Sequence, residues 1–480
     1  MSEGEGADTQ AAGPGAHQGS QGLWASLKES LHGSHQDFTE GPLGRAIFLL
    51  SVPMVLETVL ESVFAVVDVF LVGRLGPEAV ATVGLTEAML VLIYAVAMGL
   101  SIGATAMVAR RIGEKNPEEA ARTAVQAIGL GVLLGVPISA AGAYFARPLL
   151  ALMGGSGWVL EHGVGYAQIM LASMVSVILL YLINAIFRGA GDAAIAMRVL
   201  WLANALNIIL APCFIFGWGP FPQMGVTGAA VGTTLGRTIG VVYQLYRLSK
   251  GTAHFNVRRE HLRLEPATML AMLRLSGLGM FQVFVGTTSW LVLARIVASF
   301  GSAATAGYTI AMRIILFALL PSWGLGNAAA TLVGQSLGAK KPERGEQAVW
   351  TAARYNMIFL GSVGVLFFLA ATPIIGLFTQ DAESARYGVE CLRIVSCGFL
   401  FYAFGMVLEQ AFNGAGDTMT PTLMNLGCFW VLELPVAWFL ASPLGMGPRG
   451  AFLSVTVSYC LLAVVSMVLF RRGKWKLRTV

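Results

Sequence analysis

The chain has 480 residues, of which 56% are hydrophobic and only 12% are charged. Soluble domains carry roughly twice that charged fraction, so a mean hydropathy of +0.70 excludes an ordinary soluble protein and indicates an integral membrane protein. The formal net charge of +5 does not indicate nucleic acid as a partner, because the excess Lys and Arg lie in short loops and at the C-terminus. Basic residues in those places set membrane topology.

The segment before the first apolar stretch, 1–40, is rich in Gly, Ser, Gln and His. It is predicted to be a disordered cytoplasmic tail, with a short amphipathic turn over 23–31 as an alternative. Twelve apolar stretches follow, each near the roughly 20 residues that cross a bilayer as a helix. They predict an all-α membrane protein with spans at 46–72, 80–108, 122–145, 164–187, 195–217, 226–247, 269–299, 304–333, 349–371, 389–412, 420–441 and 450–470.

Lys and Arg concentrate in alternate loops of this plan. The loops after the second, sixth and eighth spans and the C-terminus are basic, whereas the loops between them hold at most one Arg each. Basic loops face the cytoplasm. Both termini are therefore predicted to be cytoplasmic, and the protein is expected to be a multi-pass protein of the plasma (inner) membrane.

The chain matches itself when it is shifted by 225 residues. Gly113, Lys115, Pro117 and Glu118 recur as Gly338, Lys340, Pro342 and Glu343, and the Gly-Ala-Gly-Asp turn at 189–192 recurs at 414–417. Asp192 and Asp417 in these turns are predicted to cap the helices that follow. The repeat predicts an N-terminal lobe (41–249), a linker (250–268), a C-terminal lobe (269–471) and a basic tail (472–480). Two parallel six-helix repeats are typical of secondary transporters, with the substrate site between the halves.

Three acids lie on one face of the first span. Glu57, Glu61 and Asp68 are within roughly 40° of each other at 100° per residue. Ionisable groups at membrane depth are costly and are functional by default, so the row is predicted to couple transport to a proton or cation. The alternative interpretation is a polar seam that hydrogen-bonds to neighbouring helices.

Other polar residues inside the spans are predicted to line the substrate cavity. Glu57 and Gln282 are repeat equivalents, as are Asn184 and Glu409, so an acid in one half matches an amide in the other. Arg295 and Arg313 are expected to pair with acids, among which Glu87 is a further candidate. The predicted cavity residues are Asn184, Asn204, Asn207, Gln282, Glu409 and Glu433.

Several chemistries are disfavoured. All six His lie outside the predicted spans, the five Cys form no CxxC motif, and no GxxxxGK[ST] loop occurs. Neither a metal site, a cofactor nor ATP use is therefore expected, and the protein is predicted not to be an enzyme.

These motifs together resemble the MATE family, the multidrug and toxic compound extrusion transporters, and in particular its bacterial DinF-like and NorM-like members. The resemblance rests on residues 67–76 of the first span, 102–103 with the Gly113 loop, 188–192, and 413–418 with Pro421. It implies a cation-coupled exporter of organic, often cationic and amphiphilic small molecules, with a V-shaped cavity between the lobes. A monomer that acts within the lipid bilayer is expected.

The resemblance also assigns residues. Asp68 matches the family's first-helix acid, where coupling ions bind, and Asn207 matches the fifth-helix Asn of the DinF-like branch. The DinF-like branch has an Asp four residues after this Asn, and the residue at that position is Ala211 here. The NorM-like branch has an acid early in the seventh helix, and this chain has Gln282 in that region. Glu57 and Glu61 are candidates for the missing charge, and H⁺ is favoured over Na⁺ because stacked carboxylates suit a proton relay.

Two alternatives remain open from the sequence. A flippase of lipid-linked saccharides shares a similar multi-helix plan, but it should line its cavity with several Lys and Arg for a diphosphate, and the mid-membrane charges here are mostly acidic. A membrane enzyme or a channel would not require the internal duplication.

Overall fold

The computed structural model describes residues 18–33, 36–252 and 254–479, and these contain helices and connections but no strand. The helices form twelve spans, two of which are each built from two consecutive helices and one from three. In chain order the spans are Leu43–Gly73, Pro77–Gly113, Pro117–Tyr144, Val164–Ala172 with Met174–Ala190, Ala193–Phe216, Val226–Lys250, Pro266–Ala298, Ser302–Gly338, Pro342–Gly376, Ala382–Ser396 with Phe399–Gly414, Met419–Asn425 with Leu426–Glu433 and Leu434–Ala441, and Pro448–Arg471.

Length and hydropathy support the twelve predicted spans. Eight of the described spans are long and apolar enough to cross a bilayer, and two bent helix pairs raise that number to ten. The remaining two, the first span (31 residues) and the sixth (25 residues), are long enough at about 1.5 Å per residue to cross as well.

The two halves repeat in structure as they do in sequence. The second and eighth spans, Pro77–Gly113 and Ser302–Gly338, begin and end at positions that differ by 225. The fourth and tenth spans are both bent near the same repeat position, by 40° and 56°. Lys115 and Lys340, also equivalent, both adopt positive φ in the loops that follow the second and eighth spans. The parallel six-helix repeat is thereby confirmed.

The N-terminal segment differs from the predicted disordered tail and agrees with the alternative of a helical turn over 23–31. Residues 1–17 lie outside the described residues, but Gln18–His32 forms a helix. An ion pair of 2.6 Å joins Arg45 of the first span to Glu29, and Arg198 of the fifth span donates to the carbonyl of His32. Composition alone could not show these contacts, which hold the helix against the N-terminal lobe.

The lobes meet mainly at one end of the bundle. The first and second spans pack on the seventh and eighth, and the closest approaches lie near the loops of Lys115 and Lys340, which define the basic end of the molecule. A Cβ placed on Gly113 would collide with the backbone oxygen of Gln335, and one on Gly338 would collide with that of Arg110. The lobes are therefore closed together at the basic end.

The opposite ends of the same spans are not covered by the part of the chain that the structure describes. Val66 and Phe70 near the end of the first span are 55% and 59% exposed, and Leu291 of the seventh span is 65% exposed. The close packing between the lobes is thus concentrated at the basic end.

Gly113→Ala is expected to impair transport without unfolding either lobe. The added methyl group meets Gln335 across the lobe interface, and overpacking costs about 1–3 kcal/mol, which disfavours the closed basic end about 5–150-fold. Initial uptake rate and hydrogen exchange at residues 110–116 measure the effect. Gly277→Ala is the matched control, because no atom of the described residues lies within 4 Å of its Cβ position; equal behaviour of the two variants would contradict the expectation.

Both chain ends bridge the lobes at the basic end. The segment 36–41, the N-terminal latch, forms an ion pair from Asp37 to Lys115 at 3.3 Å and from Glu40 to Lys341 at 3.5 Å. Arg344 also donates to three of its carbonyl groups, at residues 38, 40 and 41. The latch therefore contacts the N-terminal lobe through Lys115 and the C-terminal lobe through Lys341 and Arg344.

The basic C-terminal tail is ordered in the same way. Arg478 forms an ion pair of 3.0 Å with Asp417, and its carbonyl accepts from Arg110 of the other lobe. Trp475 is completely buried. The tail and the N-terminal latch thus form two separate links across the closed end.

The two repeated aspartates do not cap helices as predicted. Asp192 stands at the start of the fifth span without a side-chain cap hydrogen bond to the described helix, and its carboxylate instead lies 3.5 Å from His254 in the linker. Asp417 accepts from Thr420 and pairs with Arg478. Each acid therefore faces a basic residue of the segment that follows its own repeat.

The pair of Asp192 with His254 should make stability depend on pH. Burial opposes the charged imidazole, but the carboxylate of Asp192, the backbone of Gln36 and the charge of Asp37 together raise the pKa of His254. A raised folded-state pKa contributes stability below the unfolded value of 6.5 and loses it as the pH rises through the folded value. Wild type should therefore melt above His254→Gln at acidic pH and converge with it at alkaline pH. A difference independent of pH would contradict this assignment.

Candidate functional site

A polar cavity lies inside the N-terminal lobe among the first, second, fourth and sixth spans. Its volume is about 230 Å³. Asp68, Glu87 and Arg237 line it together with the aromatic rings of Tyr94 and Tyr166. Arg237 supplies the positive charge that acts on both carboxylates. The cavity therefore places two acids, one base and two tyrosines around one space.

Arg237 lies beside a series of side chains from neighbouring spans. Its guanidinium is near Tyr94, whose ring meets Tyr181 edge-on at 6.0 Å. Tyr181 in turn donates to Glu61. The second predicted acid of the first span is thus a hydrogen-bond partner that orients the cavity wall.

Glu57, the innermost of the three acids, is neutralised by a cation that the sequence patterns did not identify. Arg188 lies 2.6 Å from its carboxylate, with both side chains largely buried. Asn184 also faces this carboxylate at 3.4 Å and accepts from Gln244 at 2.7 Å. Glu57 is therefore part of a buried ion pair.

The predicted pairing of Arg295 and Arg313 with the acids is not what the described residues show. Both arginines are exposed, and Arg313 acts on Glu87 only through its longer-range field. The buried partners are Arg188 and Arg237 instead. Arg188 reaches Glu57 because the fourth span continues to Ala190, beyond the predicted end at residue 187.

In the C-terminal lobe the repeat-equivalent pair has its acid and its amide at exchanged positions. Gln282 donates to Glu409 at 2.6 Å, and Asn425 donates to the same oxygen at 3.0 Å. In the N-terminal lobe the equivalent positions hold Glu57 and Asn184. Glu409 thus accepts hydrogen bonds from two amides, whereas Glu57 interacts with an arginine and an amide.

Glu433 occupies a separate position in the C-terminal lobe. It is 2% exposed and accepts from Ser458 of the twelfth span at 2.8 Å. Its segment, Leu426–Glu433, is a π-helix, a feature that is frequent at functional sites.

Asn207 and Asn204 of the fifth span face the interior of the N-terminal lobe. Asn207 donates to Thr233 at 2.6 Å, and Thr233 lines the polar cavity. Asn204 is 8% exposed, and its side-chain nitrogen has no hydrogen-bond partner among the described residues. The predicted site residues therefore fall into several clusters inside the two lobes.

One group of potential metal ligands occurs among the described residues: Glu118, Glu260 and His261 near the basic end. The backbone N–H of Arg258 donates to His261 Nδ1, so Nε2 carries the proton that faces Glu118 at 2.5 Å. A neutral imidazole binds a metal through a nitrogen lone pair. The geometry therefore fits a hydrogen-bonded pair rather than a metal site.

Comparison with known proteins agrees with this architecture. The MatE family model matches the chain twice, over residues 53–213 and 280–439. Each match lies within one lobe, as the duplication predicts.

Full-length relatives and solved structures share the fold. The chain is 27% identical over 455 residues to the probable multidrug resistance protein NorM of Thermotoga maritima, with 95% of this chain and 98% of the relative covered. It is 24% identical over 433 residues to a FAD transporter of Shewanella oneidensis, with 90% and 95% covered. A solved structure described as the outward-facing conformation of a multidrug resistance MATE family transporter has a TM-score of 0.85 at 26% identity, over 92% and 98% of the two chains. The chain therefore belongs to the MatE family of membrane efflux transporters.

Proposed function

We propose that the protein exports organic small molecules bearing a cationic group in exchange for H⁺, or alternatively Na⁺, by alternating access between its two lobes. The polar cavity carries the proposal: among the described residues, Asp68 and Glu87 face one space without a contact cation, whereas Glu57 is already neutralised by Arg188. A carboxylate that is not engaged elsewhere can exchange a coupling cation for a substrate cation.

The closed basic end supports alternating access as the mode of transport. Basic loops face the cytoplasm in most membrane proteins, so both termini are cytoplasmic and the lobes are closed on that side. With that side closed, alternating access requires the interlobe space to open outward, as release of an exported molecule does. Coupling follows if the cation binds one conformation more tightly than the other, since a ligand shifts an equilibrium only by its differential affinity.

Family membership alone does not select the substrate. Relatives are named for multidrug resistance and for FAD transport, so the cationic class is inferred from the acids of the cavity. A monomer in the plasma membrane, without an enzymatic activity or a bound cofactor, completes the proposal.

The test is transport in proteoliposomes with a fluorescent organic cation. A pH gradient and a sodium gradient are imposed separately, and accumulation against the dye gradient is measured. Dye accumulation driven by the pH gradient alone supports exchange with H⁺. Accumulation driven by the sodium gradient alone identifies Na⁺ as the coupling ion instead. Failure of both gradients, together with movement of a labelled lipid-linked saccharide, would replace the exporter with a flippase.

A further inference from the structure

We infer that the polar cavity of the N-terminal lobe binds zwitterionic groups, with Arg237 taking the anionic end of the ligand and Asp68 with Glu87 taking the cationic end. The inference rests on the proposed export function and narrows its substrate class. It makes Arg237 a specificity-determining residue.

Two buried polar atoms of opposite character line the cavity without a partner in the described part of the chain. Asp68 Oδ1 and Arg237 Nη1 are both inaccessible to solvent, and no described residue forms a hydrogen bond with either. Unsatisfied charged groups are expensive away from water. One atom requires a donor and the other an acceptor, so a ligand that carries both satisfies the pair.

Arg237 is held ready for such a contact. Tyr94 lies beside its guanidinium in the cavity wall, and Tyr94 packs against Tyr181, which itself donates a hydrogen bond to Glu61. The guanidinium is thereby flanked on one side by packed rings, while its Nη1 has no hydrogen-bond partner among the described residues. Arg presents parallel donors that match a carboxylate.

The repeat shows that the fold does not require these charges. The C-terminal lobe has Leu293 at the position equivalent to Asp68 and Leu462 at the position equivalent to Arg237. Both leucines are fully buried in the apolar core. The same helix arrangement therefore packs without an acid and a base, and the charges of the N-terminal lobe serve another purpose than packing.

Single-charge ligands fit the cavity less well. A simple cation would be attracted to Asp68 and Glu87 but would leave Arg237 unsatisfied and repelled, whereas a simple anion would face two carboxylates. A zwitterion avoids both costs. The volume of about 230 Å³ accommodates a head group, and the rings of Tyr94 and Tyr166 provide flat surfaces for an attached aromatic system.

The test uses two dyes that differ by one methyl group: a rhodamine with a free carboxylate, which is zwitterionic, and its methyl ester, which is a cation. Equilibrium binding to the purified protein is measured at neutral pH. Wild type should bind the zwitterion at least about ten-fold more tightly than the ester. Equal or reversed affinities would overturn the inference, and this comparison requires no variant.

Arg237→Met should remove the preference for the zwitterionic dye. Binding of the zwitterion should weaken about ten-fold or more, while the ester should bind as tightly as to wild type or more tightly. Arg237→Lys should retain part of it, because the charge remains and the planar fork is lost. Arg295→Met is the matched control, since Arg295 is exposed and does not line the cavity. Equal weakening of both dyes by Arg237→Met would indicate a structural role and contradict the inference.

The binding measurement tests this inference independently of the proposed export function. Selective binding of the zwitterion without gradient-driven transport would refute coupled export and leave the cavity assignment intact. Transport of both dyes with equal affinity would support export and refute the role of Arg237.

Discussion

Asp68→Asn should reduce gradient-driven accumulation of a cationic dye to the level of protein-free liposomes. The amide nearly preserves the shape of the side chain but can neither release a proton nor attract a cation. Dye binding should weaken about ten-fold or more, and its dependence on pH should flatten, because the group that exchanges the proton is gone. The flattened pH profile distinguishes a coupling role from a structural one.

Asp381→Asn is the control for this variant, since it makes the same chemical change at an exposed helix start in the C-terminal lobe. It should transport like wild type. Continued accumulation by Asp68→Asn under a pH gradient would place the coupling site elsewhere, and Glu409 and Glu433 are then the acids to exchange next.

Arg188→Met should destabilise the protein well beyond the roughly 1 kcal/mol of an average point substitution. It leaves Glu57 buried with only the weak contact to Asn184, at 3.4 Å. Removing one partner of a buried ion pair costs about 3–5 kcal/mol. Unfolding of the purified protein in detergent measures the loss.

A double-mutant cycle isolates the pair from the rest of the network. Glu57→Gln combined with Arg188→Met should recover most of the stability, because the repeat-equivalent positions are Gln282 and Asn413 and that lobe folds without the ion pair. Additive losses in the double variant would show that Arg188 stabilises the protein through contacts other than Glu57.

The sequence predicted the backbone plan well because that plan depends on patterns along the chain. Hydropathy located the twelve spans, and the constant shift of 225 residues located equivalent turns, as the paired bends and the positive φ of Lys115 and Lys340 confirm. The exchange of acid and amide between Glu57–Asn184 and Gln282–Glu409 also follows from the shift, and the structure brings each pair together.

Side-chain partners were harder to predict, because apolar helices give little indication of their rotation. Arg237 is not among the residues predicted from the sequence, although its position inside the predicted sixth span, 226–247, is a signal that could have identified it. Arg188 lies one residue beyond the predicted end of the fourth span at 187, whereas the helix continues to Ala190. Ser458, the partner of Glu433, lies on the next span, and only packing brings the two together.

The links at the basic end have a consequence for the speed of the cycle. The N-terminal latch is joined to Lys115 and Lys341 by exposed ion pairs, and such pairs are screened by salt over a Debye length of about 8 Å at physiological ionic strength. Each opening of this end must break them. The rate at which this end opens to bind the next substrate therefore depends partly on the ionic strength on that face of the membrane, independently of the gradient that drives transport.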